Sequence, residues 1–158
     1  VYKRQGADLG NYPELPQDTG NEGLNAALIK AVQECREKEI RFRYVVMGRP
    51  DRIDSMDMGT LLYNLLSNGI EACMAVETER ELELVVREED GTTEIFMENT
   101  ISGSVLKNNP NLESRKQDKR YHGFGIESIR GIIGKYQGHY SYREESGRFI
   151  QEIDLRDG

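Results

Sequence analysis

Hydrophobic and polar positions recur with two different periods along the chain, and the changes of period delimit its elements. After Asn21, a residue suited to cap a helix, Leu24, Ala27, Leu28, Ala31, Val32 and Cys35 fall at helical spacing and predict a helix to about Lys38. The run IRFRYVVM (40–47) reads as a strand, ended by Gly48, Arg49 and Pro50. Helical period returns in LLYNLLSNGIEACMAV (61–76), where Leu61, Leu62, Leu65, Leu66, Gly69, Ala72, Cys73 and Val76 share one broad apolar face. Asp54 or Ser55 can cap this helix, and Asp57 suits the dipole of its first turn. ELELVVRE (81–88) and TEIFMENT (93–100) then alternate with period two around Asp90-Gly91, a hairpin signal. Residues 101 to about 122 are polar and longer than a structureless connection usually is, which marks a functional or mobile loop. Ile126, Ile129, Ile132 and Ile133 predict a helix ending near Tyr136, with Gly138 as its stop. HYSYREE and RFIQEIDL around Ser146-Gly147 form a second hairpin.

Strands that come in hairpins with three helices between them predict an α+β class, a two-layer α/β sandwich in which helices cover one face of a mixed sheet. Residues 1–18 carry Pro13 and Pro16 and little periodicity, so they read as a lead-in from a missing upstream segment; residues 19–158 are expected to form one domain.

Composition narrows the function without choosing it. A formal net charge of −7 with dispersed basic residues excludes a general nucleic-acid binder, because phosphate neutralisation needs a Lys/Arg surplus on one face. Cys35 and Cys73 have no second Cys or His at ligand spacing, so they read as reduced thiols rather than a zinc site or a disulfide. No apolar run is long enough to span a bilayer.

Three groups of residues suggest chemistry. Asn64, Asn68 and Glu71 lie at i, i+4 and i+7 on the border of the central helix's apolar face, two carboxamides and a carboxylate pointing together. Asn is a poor helix former because its side chain competes for nearby backbone groups, so two of them one turn apart are a poor choice for stability alone. Gly123 and Gly125, in HGFGI, stand where a long loop enters a helix, so their backbone N–H groups could approach a phosphate closely. Lys116, Lys119, Arg120 and His122 precede them and could reach phosphate oxygens. Asn99 ends the strand EIFMEN, and a carboxamide there could accept from an amino group and donate to a ring nitrogen, the pairing that suits adenine.

Together, NLLSNGIEAC and HGFGI resemble the N-box and second glycine box of the ATPase superfamily shared by gyrase, the heat-shock chaperones, histidine kinases and MutL. Within it the chain is most similar to the catalytic domain of peptide-sensing histidine kinases of accessory-gene-regulator type, over roughly Thr19 to the C-terminus. The resemblance implies the Bergerat-type ATP-binding fold, the cofactors ATP and Mg²⁺, and transfer of the γ-phosphoryl group to a histidine on a dimerisation domain absent from this chain. It makes Asn68 the Mg²⁺ ligand and Asn64 a contact to phosphate or metal-bound water; Glu71, where many histidine kinases carry a basic residue, would order metal-bound water. It places Asn99, Lys119, Arg120, His122, Gly123, Phe124, Gly125 and Ile126 around the nucleotide. Two departures stand out: Asn99 replaces the usual Asp of a DxGxG box, reduced here to NTISG, and Gly69 replaces a usual Ala, which should loosen the helix. The implied partners are the chain's own phosphoacceptor domain and a response regulator. The implied setting is the cytoplasmic part of a homodimeric, membrane-anchored sensor. A serine kinase of anti-sigma-factor type and a non-catalytic module on the same fold are the rival readings.

Overall fold

The computed structural model describes residues 17–107, 109–112 and 123–156. Their order is α1 (Glu22–Glu37), β1 (Arg41–Met47), α2 (Ser55–Met74), β2 (Glu81–Glu89), β3 (Thr92–Thr100), α3 (Gly123–Lys135), β4 (His139–Glu145) and β5 (Arg148–Arg156). The five strands form one sheet in the order β1-β2-β3-β5-β4. β1 and β2 run parallel, with α2 as the crossover connection that a parallel pair needs, and the other neighbours are antiparallel. The expected α+β sandwich, a mixed sheet with three helices on one face, is what forms.

Local chemistry sets the turns. Asp90 and Gly91 have φ of 52° and 78°, and Ser146 and Gly147 have 51° and 74°. Positive φ at both central residues gives the turn whose twist matches antiparallel strands, so each hairpin closes in the register its sequence signals. At the end of α3 the expectation needs correcting. Gln137, not Gly138, adopts the left-handed conformation, with φ of 52°. Gly138 is required for a different reason, since a methyl on it would lie 1.9 Å from the Asp154 carbonyl oxygen. The central helix also ends earlier than its apolar pattern suggests: Ala75 is its C-cap, and Val76 lies in the turn beyond.

The core lies between the layers. Leu24 and Leu28 of α1, Leu61, Leu62 and Leu65 of α2, and Ile129 of α3 pack against Leu82, Leu84, Ile95, Met97 and Leu155 on the inward face of the sheet. Successive strand residues point to opposite faces, and the outward face carries a small cluster of Val85, Phe96 and Ile150. Beside it, Glu81 pairs with Arg43 and Arg148, and Arg148 also reaches Glu98. Among the described residues, no helix is long and apolar enough to cross a membrane.

Three contacts fix the central helix in this layer. Asn21 caps α1 by accepting from the Leu24 N–H, and its buried Nδ2 donates to the carbonyls of Pro50 and Ile53 in the connection to α2. Gly23 of α1 then meets α2 backbone to backbone: a methyl there would lie 1.9 Å from the Ser55 carbonyl oxygen and 2.7 Å from the Gly59 nitrogen. At the same end of α2, Asp54 caps the first turn, and Asp57 Oδ2 accepts from Lys135 Nζ and from the Tyr136 hydroxyl, each at 2.7 Å. These hydrogen bonds hold the Asp57 carboxyl below its ordinary pKa of 3.8, and the same bond to Asp57 raises Lys135 above its ordinary 10.5.

Two outcomes follow for stability. Gly23→Ala forces a side chain against backbone that cannot rotate away, so urea unfolding should show a loss of about 1–3 kcal/mol or more. Because the folded pKa of Asp57 is depressed, its contribution is present above pH 3.8 and lost as pH falls through the folded value; that of Lys135, whose pKa is raised, is present below pH 10.5 and lost as pH rises through its folded value. Asp57→Asn should therefore lower the urea midpoint at neutral pH, and its midpoint should converge on that of the unsubstituted protein as the pH falls below 3.8.

Candidate functional site

The two carboxamides of α2 are half-buried on its edge, as their position beside the apolar face requires. Asn64 settles into the helix by donating from Nδ2 to the Thr60 carbonyl at 2.9 Å, which occupies its competing donor. The opening turn of α3 comes directly against this pair. Gly125 is buried there, and a methyl on it would lie 3.5 Å from Asn64 Oδ1 and 3.6 Å from Asn68 Nδ2. The first turn of a helix has backbone N–H groups without intrahelical acceptors, so helix-start donors and two carboxamides converge at this contact.

One residue further along α2, Gly69 faces the sheet. A methyl on it would lie 2.9 Å from Leu82 Cδ1, 3.2 Å from Met97 Cε and 3.5 Å from Asn99 Oδ1. The glycine thus lets α2 settle onto β2 and β3 at this point, where the sequence suggested only a weakened helix. Asn99 stands on the inward face of β3, paired in register with Leu82 and Phe149. It is 1% exposed. Its Nδ2 donates to the Thr100 carbonyl at 3.1 Å, and its Oδ1 has no hydrogen-bond partner among the described residues. An acceptor left unmade in the interior costs its desolvation, about 1–3 kcal/mol. With the amide held by Thr100, the free atom is an acceptor, which a donor from a bound molecule would satisfy.

The floor beneath Asn99 is fixed by residues to which the sequence motifs assign no role. The Glu81 N–H donates to Thr100 Oγ1 at 3.2 Å, and Cys73 Sγ donates to the Glu81 carbonyl at 3.3 Å, joining the last turn of α2 to the adjoining ends of β2 and β3. Burial pushes the Cys73 thiol up and takes that of Cys35 to about 12, so both are inert thiols, in keeping with a structural role. The sole signal in the sequence for this arrangement is the helical spacing that puts Cys73 on the apolar face.

The structure therefore brings Asn64, Asn68 and Gly125 together, and sets Asn99 against the next residue of the same helix, Gly69. Gly123 and Phe124 begin α3, and Ile126 packs its side chain on the core. Glu71 is exposed one turn beyond Asn68. Lys116, Lys119, Arg120 and His122 lie outside the described residues. Of the loop predicted over 101–122, the first part is described through Leu112 and is tied to neighbouring elements rather than free. Among the described residues no group of His, Cys, Asp and Glu could by itself hold a metal ion, so a cation here would depend on carboxamide oxygen and on a ligand's own oxygens.

The family described as "GHKL domain" matches residues 53–156. No curated protein matches the chain. Among solved structures, the catalytic domain of histidine kinase ThkA superposes with a TM-score of 0.66 at 17% identity, over 92% of this chain and 97% of that one. Acinetobacter baumannii histidine kinase AdeS gives 0.64 at 13% identity, over 86% of this chain and 64% of that one. Full-length ShkA, solved in complex with AMPPNP, gives 0.66 at 17% identity, over 98% of this chain and 33% of that one. At such identities the likeness establishes the fold, the one shared by histidine kinase catalytic domains.

The unpartnered acceptor gives a direct test. Asn99→Leu removes a buried polar atom that has no hydrogen-bond partner among the described residues and replaces it with an apolar side chain of similar size, at the loss of one bond to Thr100. Its unfolding free energy should stay within about 1 kcal/mol of the unsubstituted protein, whereas a core truncation such as Leu65→Ala should lose about 2–5 kcal/mol. Urea denaturation of the two variants checks it.

Proposed function

The chain belongs to the GHKL domain family, and from that membership and the geometry of the site we propose that it binds Mg-ATP and passes the γ-phosphoryl group to a histidine on a dimerisation domain in two-component signalling. The observation that carries the reading is Asn99 Oδ1, a buried acceptor without a partner among the described residues, set beside the helix whose Asn64 and Asn68 face the first turn of α3. An adenine amino group supplies the donor that Asn99 lacks, and a guanine would present an oxygen there instead. On the other side of Gly69, the N–H groups that open α3 bind phosphate oxygens, and Asn64 holds phosphate or a metal-bound water.

Asn68 would hold Mg²⁺ through its side-chain oxygen, together with waters and phosphate oxygens, as suits an ion that keeps much of its hydration. When bound, the ion neutralises charge on the β- and γ-phosphates. The protein's own part is placement: Asn99 fixes the base, and Asn64, Asn68 and the start of α3 fix the phosphates. The histidine nitrogen then forms its bond to the γ-phosphorus as the bond to the β-γ bridging oxygen breaks and ADP leaves. Glu71, exposed one turn past Asn68, would order metal-bound water. The partners of such a domain are its own phosphoacceptor segment and a response regulator, in a homodimeric, membrane-anchored sensor whose catalytic part is cytoplasmic.

A second reading, a nucleotide-binding module without phosphoryl transfer, is favoured by one observation in the NTISG run. Ile101, where the first glycine of the box would stand, donates its N–H to the Gly147 carbonyl at 3.0 Å, so this N–H is used within the protein and the box has lost one of its glycines.

Titration calorimetry with Mg-ATP tests the binding, and phosphate transfer from labelled ATP to the joined dimerisation domain separates the two readings. Mg-ATP should bind while Mg-GTP binds at least about tenfold more weakly, and Asn68→Ala should weaken Mg-dependent affinity by about tenfold or more. An absence of binding at millimolar Mg-ATP, or an Asn68→Ala variant with unaltered magnesium dependence, rules the reading out.

A further inference from the structure

Across the inward face of the sheet, one row of register partners runs from Leu82 on β2 through Asn99 on β3 and Phe149 on β5 to Glu144 on β4. Directly opposed residues carry their Cβ atoms about 5 Å apart, and strand side chains stand roughly perpendicular to the sheet, so each member of the row flanks the next. One flank of Asn99 is taken. Gly69 of α2 lies there so closely that a methyl on it would come within 2.9 Å of Leu82 Cδ1 and 3.5 Å of Asn99 Oδ1. The other flank carries an aromatic side chain. Phe149 is buried, yet among the described residues it joins neither hydrophobic cluster of the core. Tyr142 braces it from β4, with ring centroids 6.1 Å apart and planes tilted by 37°, a separation within the range of favourable aromatic pairs. Tyr142 is held in turn, because its hydroxyl donates to the Pro110 carbonyl at 2.9 Å. At the end of the row, the Glu144 carboxylate accepts from Ser104 Oγ and from the Val105 N–H, both at 2.6 Å, so its oxygens are engaged within the protein. The row thus sets Asn99 Oδ1, an acceptor without a partner among the described residues, beside a braced ring that the core clusters do not use.

We propose that Phe149 is a base-binding residue, the aromatic wall on which the base stacks while its amino group donates to Asn99. The proposal rests on the Mg-ATP reading above. A planar base that brings one edge to Asn99 Oδ1 has α2 at Gly69 on one side, and the side chain it meets on the other is that of Phe149. Stacking on an aromatic ring is favourable for any base, because every base has a π-face, whereas a lone acceptor distinguishes an amino group from a carbonyl oxygen. The two neighbours therefore divide the work. Asn99 supplies the choice of base, and Phe149 supplies affinity that does not depend on that choice. Such a wall gives the base a hold separate from the glycines that the NTISG run has lost.

Titration calorimetry on the full chain compares Mg-ATP with Mg-tripolyphosphate, which carries the phosphates and no base, with thermal midpoints measured alongside. Phe149→Ala should weaken Mg-ATP by about tenfold and Mg-tripolyphosphate by less than about twofold. Phe149→Tyr keeps a π-face and should bind Mg-ATP within about twofold of the unsubstituted protein, while Phe149→Leu, which fills much of the volume without one, should bind it about threefold or more weakly. In the saturated Mg-ATP complex, nuclear Overhauser cross-peaks should connect the Phe149 ring to adenine protons. A purely structural role would lower both affinities together, in step with the thermal midpoint, and would leave Phe149→Leu as good as Phe149→Tyr. That pattern, an unaltered Mg-ATP affinity in Phe149→Ala, or missing cross-peaks at saturation overturns the proposal and leaves the functional reading standing. An unsubstituted protein that binds no Mg-ATP ends both.

Discussion

Everything in this fold depends on how closely the central helix can approach its neighbours. α2 lies between α1 and α3 and on top of β2 and β3, and at each of these contacts the chain supplies a glycine: Gly23 against Ser55 and Gly59, Gly69 against Leu82 and Met97, Gly125 against Asn64 and Asn68. The first is a backbone contact with no room for a methyl, and it determines the height at which the helix crosses α1. The second determines its depth on the sheet. Only with both fixed do Asn64 and Asn68 reach the first turn of α3 at the level where Asn99 presents its oxygen from below. The site is therefore a by-product of packing: the polar groups are placed by the absence of side chains around the helix that bears them.

Placement explains why a chain keeps residues that do nothing for its stability. Asn64 and Asn68 disfavour the helix they occupy, and Asn99 buries an oxygen with no partner among the described residues. Each would be replaceable by an apolar or helix-favouring residue if folding were the only requirement. The Asp57–Lys135–Tyr136 contact does the opposite kind of work, using charge to hold the start of α2 to the end of α3, on the same side of the helix as the carboxamides and about two turns before Asn64.

What was legible in the sequence was whatever depends on neighbours in sequence. The periods of α1, α2 and α3, the Asn21 cap, and the Asp90-Gly91 and Ser146-Gly147 turns all follow from a few consecutive residues, and the sheet's alternation with them gave the two-layer class. The candidate residues on α2 and at the start of α3 were legible as a family resemblance, and the structure adds that Gly125 meets Asn64 and Asn68. Hidden from the sequence were contacts between distant elements. Gly138 looked like a helix stop because nothing local reveals the Asp154 carbonyl opposite it. Gly69 looked like a weakness because its partners come from β2 and β3. The second task of Asn21, donating to Pro50 and Ile53, and the reach of Glu144 to Ser104 are hydrogen bonds between residues far apart in the chain, and no spacing rule finds them.

The parallel pairing of β1 with β2 has a kinetic consequence. The two hairpins join strands that follow one another directly, so they can close early, by local search. β1 can reach β2 only once the whole of α2 has been accommodated between them, and β5 must come back to β3 across a still longer stretch of chain, so both pairings are entropically more demanding than either hairpin. α2 is also the element that carries the carboxamides. The candidate site is thus completed by the slower class of contact in the topology, and a chain arrested with its hairpins formed would have Asn99 on its strand but neither α2 nor α3 set against it.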